Sequence, residues 1–385
     1  MEIGQNVELD ITAIAHGGHC IARYEGRVIF VRHAIPGERV KARITDITSS
    51  FARADCIEVI TPSPDRITPQ CSYAHADGCG GCDFQHISLP HQRRLKEDVI
   101  KEQFARIAKM DISVQVTEVK PTDHWRTRME FNVSPNRKIA MFASRSNKLI
   151  EIEKCEIADS RIDITALNSR KLPLGKKVDV VCSDDQDPTI LFEDRENFDL
   201  ISHDVNGRIH RLNPRTFWQS HRSAATTLAS VVREMCEVRP ADHVYDLYGG
   251  AGLFTGELLK DLGPEGRITL IEVDDNAITD ARRNFAEDGN VEIVGAKVER
   301  ALRNYVKGDV VLLDPPRSGA GEKVVEAIVA MKPRTIVYVS CDPASLARDS
   351  RYLADRGYQL DRLEAFDLFP MTHHIECVAR FMPAK

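Results

Sequence analysis

Over about the first sixty residues, apolar and polar positions alternate in short runs: "VELDITAIA", "GRVIFVRHA", "ERVKARITDIT" and "FARADCIEVI". Alternation of period two marks half-buried strands. Gly17-Gly18, Glu25-Gly26 and Pro36-Gly37 supply the turns between them. Five short strands in this span predict a small closed β-barrel of the OB type over residues 1–61. Three prolines in "TPSPDRITPQ" then predict a linker.

Beyond the linker, "LPHQRRLKEDVIKEQFARIAK" carries an approximate helical stripe at Leu95, Val99, Phe104 and Ile107. From about Val114 to Arg211, short strand and turn patterns return. From about Pro214 onward the pattern changes again. "HRSAATTLASVVREMCEV" reads as a helix, and strand-like runs ("HVYDLYGG", "RITLIEVD", "DVVLLDPP", "TIVYVSCD") then alternate with helix-like ones. Such alternation predicts a parallel sheet with crossover helices. The expected fold is multidomain: an amino-terminal OB-like β-barrel (1–61), a central β-rich domain (62–213) and a carboxy-terminal α/β Rossmann-like domain (214–385).

A length of 385 residues supports this division, since it exceeds one typical core. No apolar run approaches the ~20 residues that span a bilayer, and "MEIGQNVELD" has neither the basic nor the apolar region of a signal peptide. A cytoplasmic, monomeric protein without membrane association is expected. Its ten cysteines are then thiols or ligands rather than disulfides. The net charge of −6 argues against general affinity for nucleic acid. Between His91 and Lys148, however, 13 Lys/Arg stand against 7 Asp/Glu, enough for a local contact face.

The candidate chemistry lies at the carboxyl ends of the predicted strands, where open α/β sheets bind their ligands. "VYDLYGGAGLFTGELL" is a strand, a glycine turn and a helix, and places Tyr248 and Gly250 against a ligand. Its G-G-x-G spacing lacks the third glycine of the dinucleotide fingerprint. Glu272, at the end of the next strand, is placed to accept hydrogen bonds from ribose hydroxyls. A nucleoside cofactor without pyrophosphate fits both facts, with S-adenosylmethionine the obvious candidate. "VVLLDPPRSG" puts Asp314 on a rigid turn at the same edge, and "RTIVYVSCDP" ends a buried strand with Cys341. A free cysteine there is either a site thiol or a small core residue. Farther upstream, Cys71, Cys79 and Cys82 have the spacing C-x7-C-x2-C, with Cys155 as a fourth thiol. Four thiolates suit zinc and an iron–sulfur cluster equally.

Assembled, these residues resemble the S-adenosylmethionine-dependent RNA uracil-5-methyltransferases, and most closely the branch with a TRAM domain and an iron–sulfur cluster. "SCDPASLARD" is similar to that family's nucleophile motif, "DPPRSG" to its acidic motif, and "FPMTHHIECVARF" to its carboxy-terminal base motif. "RTFWQSH" resembles the segment that carries a cofactor-contacting glutamine, here Gln219. The resemblance implies Cys341 as nucleophile and Glu376 as base. It implies cofactor contacts from Gln219, Tyr248, Gly250, Glu272 and Asp314, a [4Fe–4S] cluster on Cys71, Cys79, Cys82 and Cys155, and a transfer or ribosomal RNA as substrate. Phe217 and Trp218 are candidates to support a flipped base. Two positions depart from the family: Asp342 replaces the usual asparagine, and Leu253 stands where asparagine is frequent. The competing reading is a catalytically silent RNA-binding or chaperone protein that keeps the fold. The joint presence of Cys341, Asp314 and Glu376 argues against it.

Overall fold

The computed structural model describes residues 1–193 and 198–384. The amino-terminal sheet has six strands in the order Asn6–Asp10, Arg39–Ile47, Phe51–Thr61, Arg27–Arg32, Cys20–Tyr24, Ala13–Ile14. It is antiparallel except where Arg27–Arg32 runs parallel to Phe51–Thr61. The alternation read from the sequence is the burial pattern: Val7, Leu9, Ile29, Val31, Val40, Ala42 and Ile44 all lie inside. Register shifts between Arg39–Ile47 and Phe51–Thr61 bend this long hairpin, as bulges do where sheets curl. The sixth strand, Ala13–Ile14, was not anticipated; at two residues it has no period to read.

A five-stranded antiparallel sheet follows, ordered Leu149–Glu151, Ile139–Phe142, Arg128–Val133, Lys177–Val181, Thr189–Phe192. The carboxy-terminal sheet has eight strands. Five are parallel: Val291–Gly295, Arg267–Glu272, His243–Leu247, Val310–Leu313 and Thr335–Ser340. Glu376–Pro383 and Tyr358–Asp367 then continue the sheet in antiparallel fashion. Thr335–Ser340 is buried at all six positions, as a parallel strand covered on both faces must be. The eighth strand is Val116–Glu118, which pairs in parallel with Tyr358–Asp367. It comes from the middle of the segment expected to form a central domain.

The helix Leu89–Gln103 and its continuation Phe104–Ala108 likewise pack on the carboxy-terminal unit rather than beside the cysteines. Leu95, Val99 and Phe104 are buried, so the helical stripe faces the catalytic side. One apolar core consequently runs from the barrel (Ile29, Val40) through Phe84, Ile87 and Leu95 to Leu346 and Tyr338. Within the adjoining interface, Lys96 Nζ donates to Asp367 Oδ1 at 2.6 Å and to the Phe369 carbonyl at 3.1 Å. Both charged side chains are 1% exposed. No helix among the described residues is long and apolar enough to cross a membrane.

Candidate active site

Ser340, the last residue of its strand, pairs with Cys377 across the antiparallel ladder. Cys341 and Glu376 come one step beyond that last pair, close enough for the Glu376 charge to act on the thiol. Cys341 also directly precedes Asp342, the cap of the helix Pro343–Ala354. Asp314 ends the neighbouring strand Val310–Leu313, with its backbone N–H on the Leu247 carbonyl at 3.2 Å. The three groups thus meet because three adjacent strands stop at one edge.

The electrostatics of this edge favour neutral groups at rest. Burial pushes the Cys341 thiol up to about 11, and the charges of Glu376 and Asp314 add to the shift while Arg317 opposes it. Burial also lifts Glu376 well above the carboxylate range, with Asp314 contributing. Asp314 itself is pushed up to about 7 by burial and by Asp246. Carboxylates crowded in a site of low polarity resist ionising together, so this pair holds a proton near neutral pH.

The amino-terminal sheet reaches into the same place. His16, Gly17 and Gly18 line a cleft of about 140 Å³ together with Cys341, Asp342, Arg317, His373 and His374. His16 Nε2 lies 2.9 Å from Asp342 Oδ2. Asp342 is also the helix cap, its Oδ1 accepting from Ser345 N at 2.7 Å. Against the upward push of burial, the His16 and Ser345 contacts hold the Asp342 carboxyl down at about 2. The extra negative charge expected beside the thiol is therefore present, and it has a partner. Gly18 is required by close approach, since a Cβ there would stand 2.5 Å from that of His373. His373 Nδ1 in turn meets Asp83 Oδ2 at 2.5 Å. Sequence reasoning missed His16 as a site residue; "AHGGH" signals only a turn.

The glycine turn lies at the end of His243–Leu247. Glu272 Oε2 accepts from Gly250 N at 2.9 Å, and Oε1 accepts from Val273 N and Asp274 N. The predicted acidic residue thus braces the turn from the neighbouring strand. A Cβ on Gly252 would collide with Phe285, whereas one on Gly250 would meet nothing within 4 Å, so the open side of the turn is at Gly250. Tyr248 sits beside it with φ 61. Leu253, the departure from asparagine, is buried in the apolar core and offers no hydrogen bond.

Cys71, Cys79, Cys82 and Cys155 line a single small cavity with Tyr73, Arg126, Met141 and Ile157. Gly81 N points to Cys79 Sγ at 3.3 Å and Gln85 Nε2 to Cys82 Sγ at 3.6 Å. Burial raises all four thiols, Cys79 to about 11. Among the described residues no three potential ligands stand close enough to hold a single metal ion. Cys20, Cys182, Cys236 and Cys377 are buried, and Cys56 partly so.

Other sequence expectations land elsewhere. Gln219 lines a separate polar cavity with Thr127, Arg161, His203 and Trp218, and Tyr248, Gly250, Glu272 and Asp314 take no part in it. Trp218 is 5% exposed and stacks on His203 at 5.2 Å, which makes it a core residue. Phe217, by contrast, is fully presented to solvent at 71% exposure. Three of the basic residues between His91 and Lys148 are engaged within the protein. Lys96 is buried against Asp367, Arg93 pairs with Glu118, and Arg128 donates to the carbonyls of Pro214 and Thr216. Burial lowers Arg128 to about 10; it ties two segments together instead of meeting phosphate.

Comparison with known proteins agrees with this geometry. Residues 1–57 match the TRAM domain and residues 196–382 the tRNA (uracil-5-)-methyltransferase family. An uncharacterized RNA methyltransferase of Streptomyces avermitilis is 38% identical over 99% of this chain and 99% of its own length. The 23S rRNA (uracil(1939)-C(5))-methyltransferase RlmD of a Shewanella species is 31% identical, covering 100% of this chain and 97% of that enzyme. In fold, the chain is similar to the Pyrococcus abyssi tRNA (uracil-54, C5)-methyltransferase solved with S-adenosyl-L-homocysteine. That likeness has a TM-score of 0.76 at 21% identity and covers 98% of this chain and 100% of the other. With a TRAM domain at its amino terminus and full-length relatives of this kind, the chain belongs to the RNA (uracil-5-)-methyltransferases.

Proposed function

We propose that the enzyme methylates C5 of a uridine in structured RNA, with S-adenosylmethionine as donor, through a transient bond between Cys341 Sγ and uracil C6. The observation that carries this reading is the cross-strand placement of Cys341 beside Glu376, with Asp314 on the adjoining strand end. Uracil C5 is too weak a nucleophile to take a methyl group unaided. Addition of the Cys341 thiolate to C6 places an electron pair on C5, and that carbon takes the methyl group as the S–CH3 bond of the donor breaks and its sulfur leaves as a neutral thioether. Glu376 then accepts the C5 proton, and the C6–S bond breaks to restore the aromatic ring and the thiolate. The bound cofactor supplies an electrophilic methyl on a positively charged sulfur. Tyr248, Gly250 and Glu272 are the residues proposed to hold it, with Asp314 facing the reacting centre. Gln219, which the resemblance adds to this set, opens instead onto the separate polar cavity beside Trp218. The Arg317 charge favours the thiolate.

The four-cysteine cavity is the proposed seat of the [4Fe–4S] cluster that the family resemblance implies, since four thiolates in one lining are a ligand set such a cluster takes. These four half-buried thiols ionise more readily once a cationic centre joins them. Its role is structural, because methyl transfer needs no electron. Anaerobically purified protein should contain about four iron atoms per chain, and stoichiometric zinc would overturn the assignment.

The full-length similarity to an enzyme named for 23S rRNA makes a ribosomal uridine the favoured target. Incubating the protein with labelled donor and ribosomal or transfer RNA, followed by nucleoside mass spectrometry, tests this. 5-Methyluridine in ribosomal RNA is expected. Methylation confined to another base or atom would contradict the proposal.

A further inference from the structure

A second cleft lies between the amino-terminal sheet and the central sheet, lined by His19, Phe30, Arg32, Asp46, Arg53 and Arg145, among others. Arg32 is only 9% exposed, yet its Nη2 has no hydrogen-bond partner among the described residues. Its Nη1 stands 3.9 Å from Asp55, beyond hydrogen-bond range. His19 Nε2, on the same wall, is likewise buried without a partner. A buried guanidinium left unsatisfied costs free energy, and a ligand that accepts hydrogen bonds would recover it. Arg53 lies over the rings of Phe51 and Phe30, at 5.0 and 5.9 Å from their centroids. Three arginines face two carboxylates, Asp46 and Asp55, so the cleft keeps a positive excess.

Cationic donors beside a flat aromatic and guanidinium surface match a nucleotide, with its phosphate on the donors and its base on the plane. The position of the cleft narrows the choice. Ala15–His19 form one tight turn, closed by Ala15 N to the His19 carbonyl at 2.7 Å and Gly18 N to the Ala15 carbonyl at 3.1 Å. His16, Gly17 and Gly18 of that turn line the Cys341 cleft, and the next residue, His19, lines this one. Consecutive Cα atoms are about 3.8 Å apart, so the two clefts adjoin at this turn.

We propose that this cleft is a second nucleotide pocket, which takes an unpaired nucleotide near the target uridine in the same RNA strand. Its base stacks on Phe30 and Arg53, and its phosphate meets Arg32 and Arg145. The pocket rests on the uridine-methyltransferase reading and sharpens it, since specificity then includes a neighbour of the methylated base.

The test uses the full-length protein and the smallest RNA fragment that it methylates. Each nucleotide near the acceptor uridine is replaced in turn by an abasic one, and binding is measured by fluorescence anisotropy. The protein is either wild type or Arg53→Gln/Arg145→Gln. With wild type, one abasic position should weaken binding roughly tenfold, the ordinary worth of one stacked base. In the variant, the same abasic position should cost less than about twofold, because interacting partners are non-additive. Photocrosslinking of 5-iodocytidine at that position to the Phe30 or His19 peptide gives a reading independent of the variant's stability. Equal abasic losses in both proteins, or a crosslink elsewhere, would overturn the pocket. A protein that methylates no uridine would instead overturn the functional reading on which the pocket rests.

Discussion

Cys341 and Glu376 lie one step past the Ser340–Cys377 pair that closes an antiparallel ladder, and the Glu376 charge acts on the Cys341 thiol. The backbone therefore sets the spacing of the proposed nucleophile and base before either side chain chooses a rotamer. Such preorganisation is what the proposed addition and elimination would require, since a base must wait beside the carbon that the thiol has just activated.

The resting thiol should be unreactive at neutral pH. With its pKa pushed up to about 11, the thiolate fraction rises about tenfold per pH unit below that value. The rate of Cys341 alkylation by iodoacetamide should climb steadily from pH 7 to 9 without a plateau. Asp342→Asn should speed alkylation at pH 8 several-fold, because it removes a negative neighbour and an asparagine can still cap the helix. A plateau near pH 7 would show the thiol to be activated already.

Asp314 should cost stability in exchange for its place in the site. Its folded pKa of about 7 lies above the ordinary value of about 3.9 for an unfolded aspartate. Between these values the folded state holds a proton that the unfolded state has released. Stability contributed by that proton is full below about pH 4 and is lost as pH rises through about 7. Asp314→Asn should therefore be more stable than wild type at pH 8, and the two should converge near pH 4. Urea denaturation at both values measures this; a variant less stable at pH 8 would refute it.

Lys96 and Asp367 fasten the long helix to the catalytic sheet from positions 271 apart in the chain. Removing one partner leaves the other charge buried, so Lys96→Met should lose about 3–5 kcal/mol. The pair Lys96→Met/Asp367→Leu should recover most of that loss. Chemical denaturation of the three variants distinguishes this from simple packing damage, which the double variant would not repair.

Local signals made the catalytic edge legible. A β-branched run ended by Cys-Asp-Pro, another by Asp-Pro-Pro, and a glycine turn each announce a strand terminus within a dozen residues. What the sequence hid is non-local. Val116–Glu118 is three residues long, and only its distant partner makes it a strand of the catalytic sheet. The His16–Asp342 contact joins two domains, and no spacing rule reaches across them. Arg128 counts towards the basic excess between His91 and Lys148 because charge is visible in a sequence, whereas the carbonyls it donates to are not.

The central claim is the covalent bond between Cys341 and uracil C6. Glu376→Gln should still permit addition and methyl transfer, but without a base it cannot take the C5 proton, so the enzyme should remain attached to its RNA. Denaturing gel electrophoresis of Glu376→Gln with labelled RNA and S-adenosylmethionine should show a slowly migrating protein–RNA band. That band should vanish in Cys341→Ala/Glu376→Gln, and peptide mapping should place the RNA on Cys341. Undiminished turnover by Glu376→Gln with no adduct, or an adduct that survives loss of Cys341, would contradict the account.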